Sequence, residues 1–143
     1  MLGAPGFSSV TQITSITFVS ANTALSGESH LWFALYDSGL NLLRQTTDDT
    51  SPTWAANSEL TRNLTTPYPL SSLNQTEFTP FYYLGICVVA STMPNLYGAN
   101  ATGVLGLLAP PLYGQSSTGL TGTAPNPAAA ITQRDGYAYA YVS

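Results

Sequence analysis

His30 and Cys87 are the only imidazole and the only thiol in the 143 residues. That scarcity limits the chemistry open to this chain. Nucleophilic catalysis needs a hydroxyl or thiol held beside a base. His30 stands at the head of an apolar run, and no G-x-S-x-G elbow occurs. Cys87 lies within the most hydrophobic stretch, where a thiol is normally inert packing. Structural zinc takes about four Cys, His or carboxylate ligands, which one Cys and one His do not supply. No glycine-rich phosphate loop opens a helix. From these residues we expect no catalytic residue, no metal and no cofactor.

Carboxylates are the remaining chemical resource: Glu28, Asp37, Asp48, Asp49, Glu59, Glu77 and Asp135. Glycoside hydrolysis would need two of them facing each other. Most fall in turns, however. Asp37 begins one, and Asp135 precedes Gly136, places where a short acid caps backbone amides. Asp48-Asp49-Thr50 offers oxygens to a calcium ion, but calcium wants about six to eight, and the others are not signalled.

The aromatic residues Trp32, Trp54, Tyr97, Tyr113, Tyr137, Tyr139 and Tyr141 are the better lead. Two readings stay open for them. They form a platform on which sugar rings stack, or they cover one face of the fold and meet a neighbouring subunit, each hydroxyl finding a partner. The tyrosine ladder at the C-terminus favours the second reading and a homo-oligomer.

Charge narrows the partners. Only 7% of residues are charged, net charge is −4, there is no lysine, and the fixed cations are Arg44, Arg62 and Arg134. Nucleic-acid binding rests largely on Lys and Arg neutralising phosphates, so we expect none. The longest apolar run, Phe81 to Ala90, is about half the ~20 residues a membrane helix needs, so we expect no membrane span. The N-terminus has neither a basic residue nor a signal-type apolar core. That leads us to expect synthesis in a cytoplasm, or numbering from within a longer chain. A lone cysteine excludes an internal disulfide. Sequons at Asn63, Asn74 and Asn100 read as by-products of an Asn/Thr-rich composition.

These residues must be placed by strands. Gln12 to Val19 alternates Ile16 and Phe18 against Ser15 and Thr17. Asn22 to Ser29 reads as a polar loop. His30 to Tyr36 is apolar on both faces, with Leu31, Phe33 and Leu35 opposed to Trp32, Ala34 and Tyr36; this predicts a central strand covered on each side. Asp37-Ser38-Gly39 supplies turn chemistry, with Gly39 free to take a positive φ, so Leu31–Gln45 is a hairpin. Trp54 plugs an edge of the core, and Glu59 to Leu64 is a further strand. Thr65 to Pro80, interrupted by Pro67, Pro69 and Pro80, is a long connection. Phe81 to Ala90 is expected at the centre of the sheet. Gly103 to Tyr113 reads as a short strand or extended segment. Gln115 to Pro127 is low-complexity chain ordered by what it packs on. Gly136 to Ser143 alternates strictly, with Tyr137, Tyr139 and Tyr141 facing one way. The expectation is an all-β single domain: a jelly-roll-like β-sandwich of about seven or eight short antiparallel strands over residues 12–143, with residues 1–11 as an N-terminal arm.

Leu31-Trp32-Phe33-Ala34-Leu35-Tyr36-Asp37 with Asn41-Leu42-Leu43, Thr53-Trp54-Ala55, Phe81-Tyr82-Tyr83-Leu84-Gly85-Ile86, and Leu107-Leu108-Ala109-Pro110 follow in that order. With a Thr/Ala/Pro-rich tail and a final aromatic strand, the pattern resembles β-sandwich virion domains of tailed phages infecting actinobacteria. The resemblance runs from Gln12 to the end and names no active site. Members usually carry a strand before the one at Gln12–Val19, where this chain has only Met1 to Thr11. That segment is either a shortened start or an arm that docks on a neighbour. The resemblance implies a non-enzymatic structural protein on the virion exterior, a minor tail component or a head-decoration protein. Its partners would be other virion proteins and copies of itself, as a trimer. The alternative is an adhesin module recognising host cell-wall glycan.

Overall fold

The computed structural model describes residues 11–70, 82–99, 114–134 and 136–143. Every regular element among them is a strand. These are β1 (Gln12–Val19), β2 (Ser26–Tyr36), β3 (Leu42–Gln45), β4 (Glu59–Pro69), β5 (Tyr83–Thr92), β6 (Gly98–Ala99), β7 (Gly114–Gln115), β8 (Thr132–Gln133), β9 (Tyr137–Ala138) and β10 (Ala140–Val142). Two three-stranded antiparallel sheets, β10-β1-β4 and β3-β2-β5, carry the fold.

Their facing sides are what the alternation dictates. Ile16, Phe18, Leu60 and Leu64 of the first sheet meet Leu31, Phe33 and Leu35 of the second in one core. Phe18 and Phe33 are tilted against each other at 4.8 Å between centroids, and Trp54 meets Phe33 edge-on at 6.3 Å. Burying each large apolar side chain here contributes ~1.5–3 kcal/mol. The two sheets are also tied by hydrogen bonds. Thr46, at the end of β3, receives the Phe33 N–H on its hydroxyl and bridges to Leu64 of β4.

The second apolar face of β2 is covered as its pattern requires. Trp32, Ala34 and Tyr36 pack with Cys87, Ala124 and Leu120. The cover is irregular chain held by side chains that reach out of the sheet. Trp32 Nε1 donates to the Thr121 carbonyl at 2.6 Å, and the Tyr36 hydroxyl donates to the Pro125 carbonyl at 3.1 Å. The Gln45 carboxamide donates to the Gly122 carbonyl at 2.9 Å and accepts the Ala124 N–H at 2.8 Å. Low-complexity chain is thus ordered by its packing partner.

Several expectations need correction. β5 is not the centre of its sheet: among the described residues it pairs only with β2, and of its residues only Cys87 is buried. The doubly apolar β2 takes the centre, with the first sheet packed on one face and Leu120, Ala124 and Ala128 on the other. β2 also begins earlier, at Ser26, inside the segment read as a loop. β4 continues through Pro67 to Pro69, beyond the expected end at Leu64. The register between β1 and β4 shifts between Ile13 and Ser15, and Pro67 falls in that irregularity. β4 lies at the end of its sheet's strand order, where a missing N–H is tolerated. In the β2–β3 turn the left-handed residue is Leu40 (φ 65°), not Gly39. Asp37 Oδ1 accepts from the N–H groups of Gly39 and Asn41, both at 2.9 Å, which closes the loop around Leu40. The hydrogen bonds to Asn41 hold the Asp37 carboxyl below its ordinary value. The expected arm (residues 1–11) apart from Thr11, the rest of the long connection (residues 71–80), Phe81 at the head of the next expected strand, and the segment 100–113 lie outside the described residues.

Candidate functional site

The C-terminal strand pair gathers the exposed aromatics. Tyr97, Tyr137, Tyr139 and Tyr141 are 60%, 54%, 54% and 38% exposed, while Ala138 and Ala140 between them are half-buried. β9 pairs with β6 in the register Gly98↔Ala138 and Ala99↔Tyr137. The same register puts Tyr97 opposite Tyr139, and directly opposed residues of an antiparallel pair point to one face. The Tyr97 peptide is pinned on both sides: its N–H donates to Val19 O at 2.8 Å, and its carbonyl accepts from Tyr139 N at 2.7 Å. Gly98 allows this approach, since a Cβ there would collide with the Tyr137 carbonyl oxygen.

Tyr141 extends the aromatic surface across the first sheet. It stands opposite Thr17 of β1, which in turn stands opposite Thr61 of β4. Its hydroxyl reaches the Glu59 carboxylate of β4 at 3.0 Å, so the ring spans β1. Thr17 is 1% exposed although it lies on the outer side of its sheet, and its hydroxyl shares a 2.7 Å hydrogen bond with Thr61. Tyr139 meets Tyr141 edge-on at 6.4 Å. Glu59 as the anchor of Tyr141 could be found only from the strand register.

The other candidates do not join this surface. Trp32 and Trp54 are 2% and 3% exposed, and each indole N–H is spent on a backbone carbonyl, Thr121 and Ser58 respectively. Neither offers a ring face to a sugar or a neighbour; both are core. Tyr113 lies outside the described residues.

An acid–base pair that the sequence did not signal lies elsewhere, on the outer side of the β3-β2-β5 sheet. His30 Nδ1 and Asp48 Oδ2 are 2.6 Å apart, with the side chains 29% and 17% exposed. Asp48 Oδ1 is buried with no hydrogen-bond partner among the described residues. A carboxylate against a ring nitrogen is a contact that also orients the histidine of hydrolase triads. Among the described residues no hydroxyl or thiol hydrogen-bonds His30. Cys87, paired with Trp32 on the same sheet, is pushed up by burial and then by the negative charge of Asp48, which opposes thiolate formation. The neighbouring Asp49 pairs instead with Arg62, at 2.7 Å. Among the described residues no three His, Cys, Asp or Glu side chains gather as a metal site, and no helix is long and apolar enough to cross a membrane.

An open cleft of about 570 Å³ adjoins the tyrosine surface, lined by Asn22, Met93, Asn95, Leu96, Gly136 and Tyr137 among others. Comparison of the chain with family models, with curated proteins and with solved structures finds no match.

Proposed function

We propose that this chain is a non-enzymatic structural subunit, jelly-roll-like in topology, which docks on neighbouring copies of itself on the exterior of a virion, as a minor tail or head-decoration protein. The observation that carries the reading is the gathering of Tyr97, Tyr137, Tyr139 and Tyr141 on one outer surface, each more than a third exposed. Tyrosine is enriched at the buried cores of interfaces, and contiguous exposed patches of it mark association surfaces. Two features favour a second copy as the occupant. With 7% charged residues, copies carry little charge to repel one another on close approach. The backbone beneath the tyrosines is pinned on both sides, so little ordering entropy is lost on docking. The phage setting rests on the sequence resemblance alone.

The test is sedimentation of the purified chain with a particle-incorporation assay. The wild type should form a concentration-dependent oligomer, a trimer. Tyr139→Asp should weaken association by ~2 kcal/mol or more, the scale of an interface hot spot, and abolish incorporation, with the circular-dichroism spectrum unchanged. Removal of Met1 to Ser9 should also abolish incorporation. A chain that stays monomeric at high concentration, or both variants incorporating normally, would refute the proposal.

A further inference from the structure

We infer that the cleft between the Ala21–Asn22 turn, the Met93–Leu96 segment and the β6–β9 pair is a binding site for a neutral sugar. This goes beyond the assembly reading; Tyr137 belongs to both surfaces, so a sugar and a second copy compete for its ring. The cleft has three properties that together select the ligand class. Among the described residues no charged side chain lines it, so none of them would repay the desolvation of a phosphate or carboxylate. Asn22 and Asn95 line it with exposed carboxamides that have no hydrogen-bond partner among the described residues. Each carboxamide offers donors and an acceptor, the combination that a pair of vicinal hydroxyls requires. Tyr137, 54% exposed, gives the cleft an aromatic wall for the apolar face of a pyranose, and Met93, 59% exposed, adds a soft apolar contact beside it.

The frame is rigid where these groups attach. Ala21 N donates to Asn95 O at 2.6 Å, which locks the two asparagine-bearing turns together, and Asn57 N donates to Ala21 O at 2.7 Å. The Ser20 hydroxyl, one residue before, donates to the carbonyls of Ala55 and Ser58 at 2.6 and 3.1 Å. Pro94 is buried between Met93 and Asn95. Gly136, with φ 110°, turns the chain into the wall that carries Tyr137. The volume falls within the ~300–1,000 Å³ of small-molecule sites. Side chains with free polar atoms on an immobile backbone are what a preorganised site needs.

The experiment is an amide-resolved NMR titration of the full chain in the Tyr139→Asp background, which separates sugar binding from association. The probes are neutral tetrasaccharides of glucose, mannose, galactose and N-acetylglucosamine, with a galacturonate tetrasaccharide as the charged comparison. At least one neutral probe should produce saturable shifts at Asn22, Asn95 and Tyr137, and the uronate should not. Asn22→Ala and Asn95→Ala should each weaken that probe by about two- to twelve-fold, the loss of one net hydrogen bond. Tyr137→Phe should retain binding, and Tyr137→Ser should lose it. No saturable shift with any neutral probe, shifts indifferent to both asparagine variants, or preference for the uronate would overturn the inference. None of these outcomes bears on whether the wild type assembles.

Discussion

Replacing Tyr36 with Phe removes one oxygen atom whose role reverses with pH. Tyr36 is 5% exposed and its hydroxyl donates to the Pro125 carbonyl at 3.1 Å, holding the covering segment on β2. At neutral pH the variant loses that bond and leaves the carbonyl without its donor, which costs ~1–3 kcal/mol. The lower half of that range is expected, because the bond is long and Pro125 is only half-buried. Burial, with a smaller contribution from Cys87, pushes the Tyr36 phenol up to about 12, whereas in the unfolded chain it titrates near ~10. Above that lower value the unfolded chain releases a proton that the folded chain retains, so wild-type stability falls as pH rises. The slope reaches at most ~1.4 kcal/mol per pH unit, or ~2.7 kcal/mol over the whole window. The Phe variant has no such proton. The stability difference, wild type minus variant, should therefore be about +1 to +2 kcal/mol at pH ~8 and shrink to zero or below as pH approaches ~12. Urea denaturation of both proteins at a series of pH values measures it. Tyr82 and Tyr83, also raised by burial, titrate in both proteins and cancel in the difference. A difference that stays constant from pH ~9 to ~11.5 would refute the assigned burial and hydrogen bond.

Gln45→Leu should unclasp the same covering segment, since it orphans the Gly122 carbonyl and the buried Ala124 N–H, at ~1–3 kcal/mol each; amide hydrogen exchange at Ala124 should accelerate while β1 and β2 remain protected. Trp54→Ala should cost ~3–5 kcal/mol as a core truncation, so thermal unfolding will register it before any binding assay does. Gly98→Ala forces a methyl group against the Tyr137 carbonyl; the β6–β9 pairing should be lost at ~1–3 kcal/mol, and the Tyr97 and Tyr137 amide resonances should move most.

Much of the fold was legible because period-two patterning is a local signal. The segment from His30 to Tyr36 is apolar on both faces, and a strand with two oily faces needs cover on each side, which the first sheet and the segment around Leu120 and Ala124 supply. β1 matched its expected span, and the expected hairpin from β2 to β3 formed. The errors fell where local signals compete with neighbours. Pro67 and Pro69 read as strand breakers, yet a sheet-end position and a register irregularity absorb them. Gly39 was the obvious residue for a positive φ, but the Asp37 carboxylate organised the loop so that Leu40 took it. The hydrophobicity of Phe81 to Ala90 suggested a central strand, although composition does not report how many strand neighbours a segment has.

What the sequence determined by itself was a strand-built chain with an almost ion-free surface and a C-terminal row of tyrosines facing one way. The tertiary structure decided which aromatics are available. Trp32 and Trp54 are sealed inside with their indole N–H groups satisfied, while Tyr97 is brought opposite Tyr139 from far along the chain. It also decided the pairing of His30 with Asp48 and the convergence of Asn22 and Asn95 on one cleft. The physical reason is reach: alternation along one strand sets the face a side chain takes, but only the register between strands distant in sequence sets what it meets there.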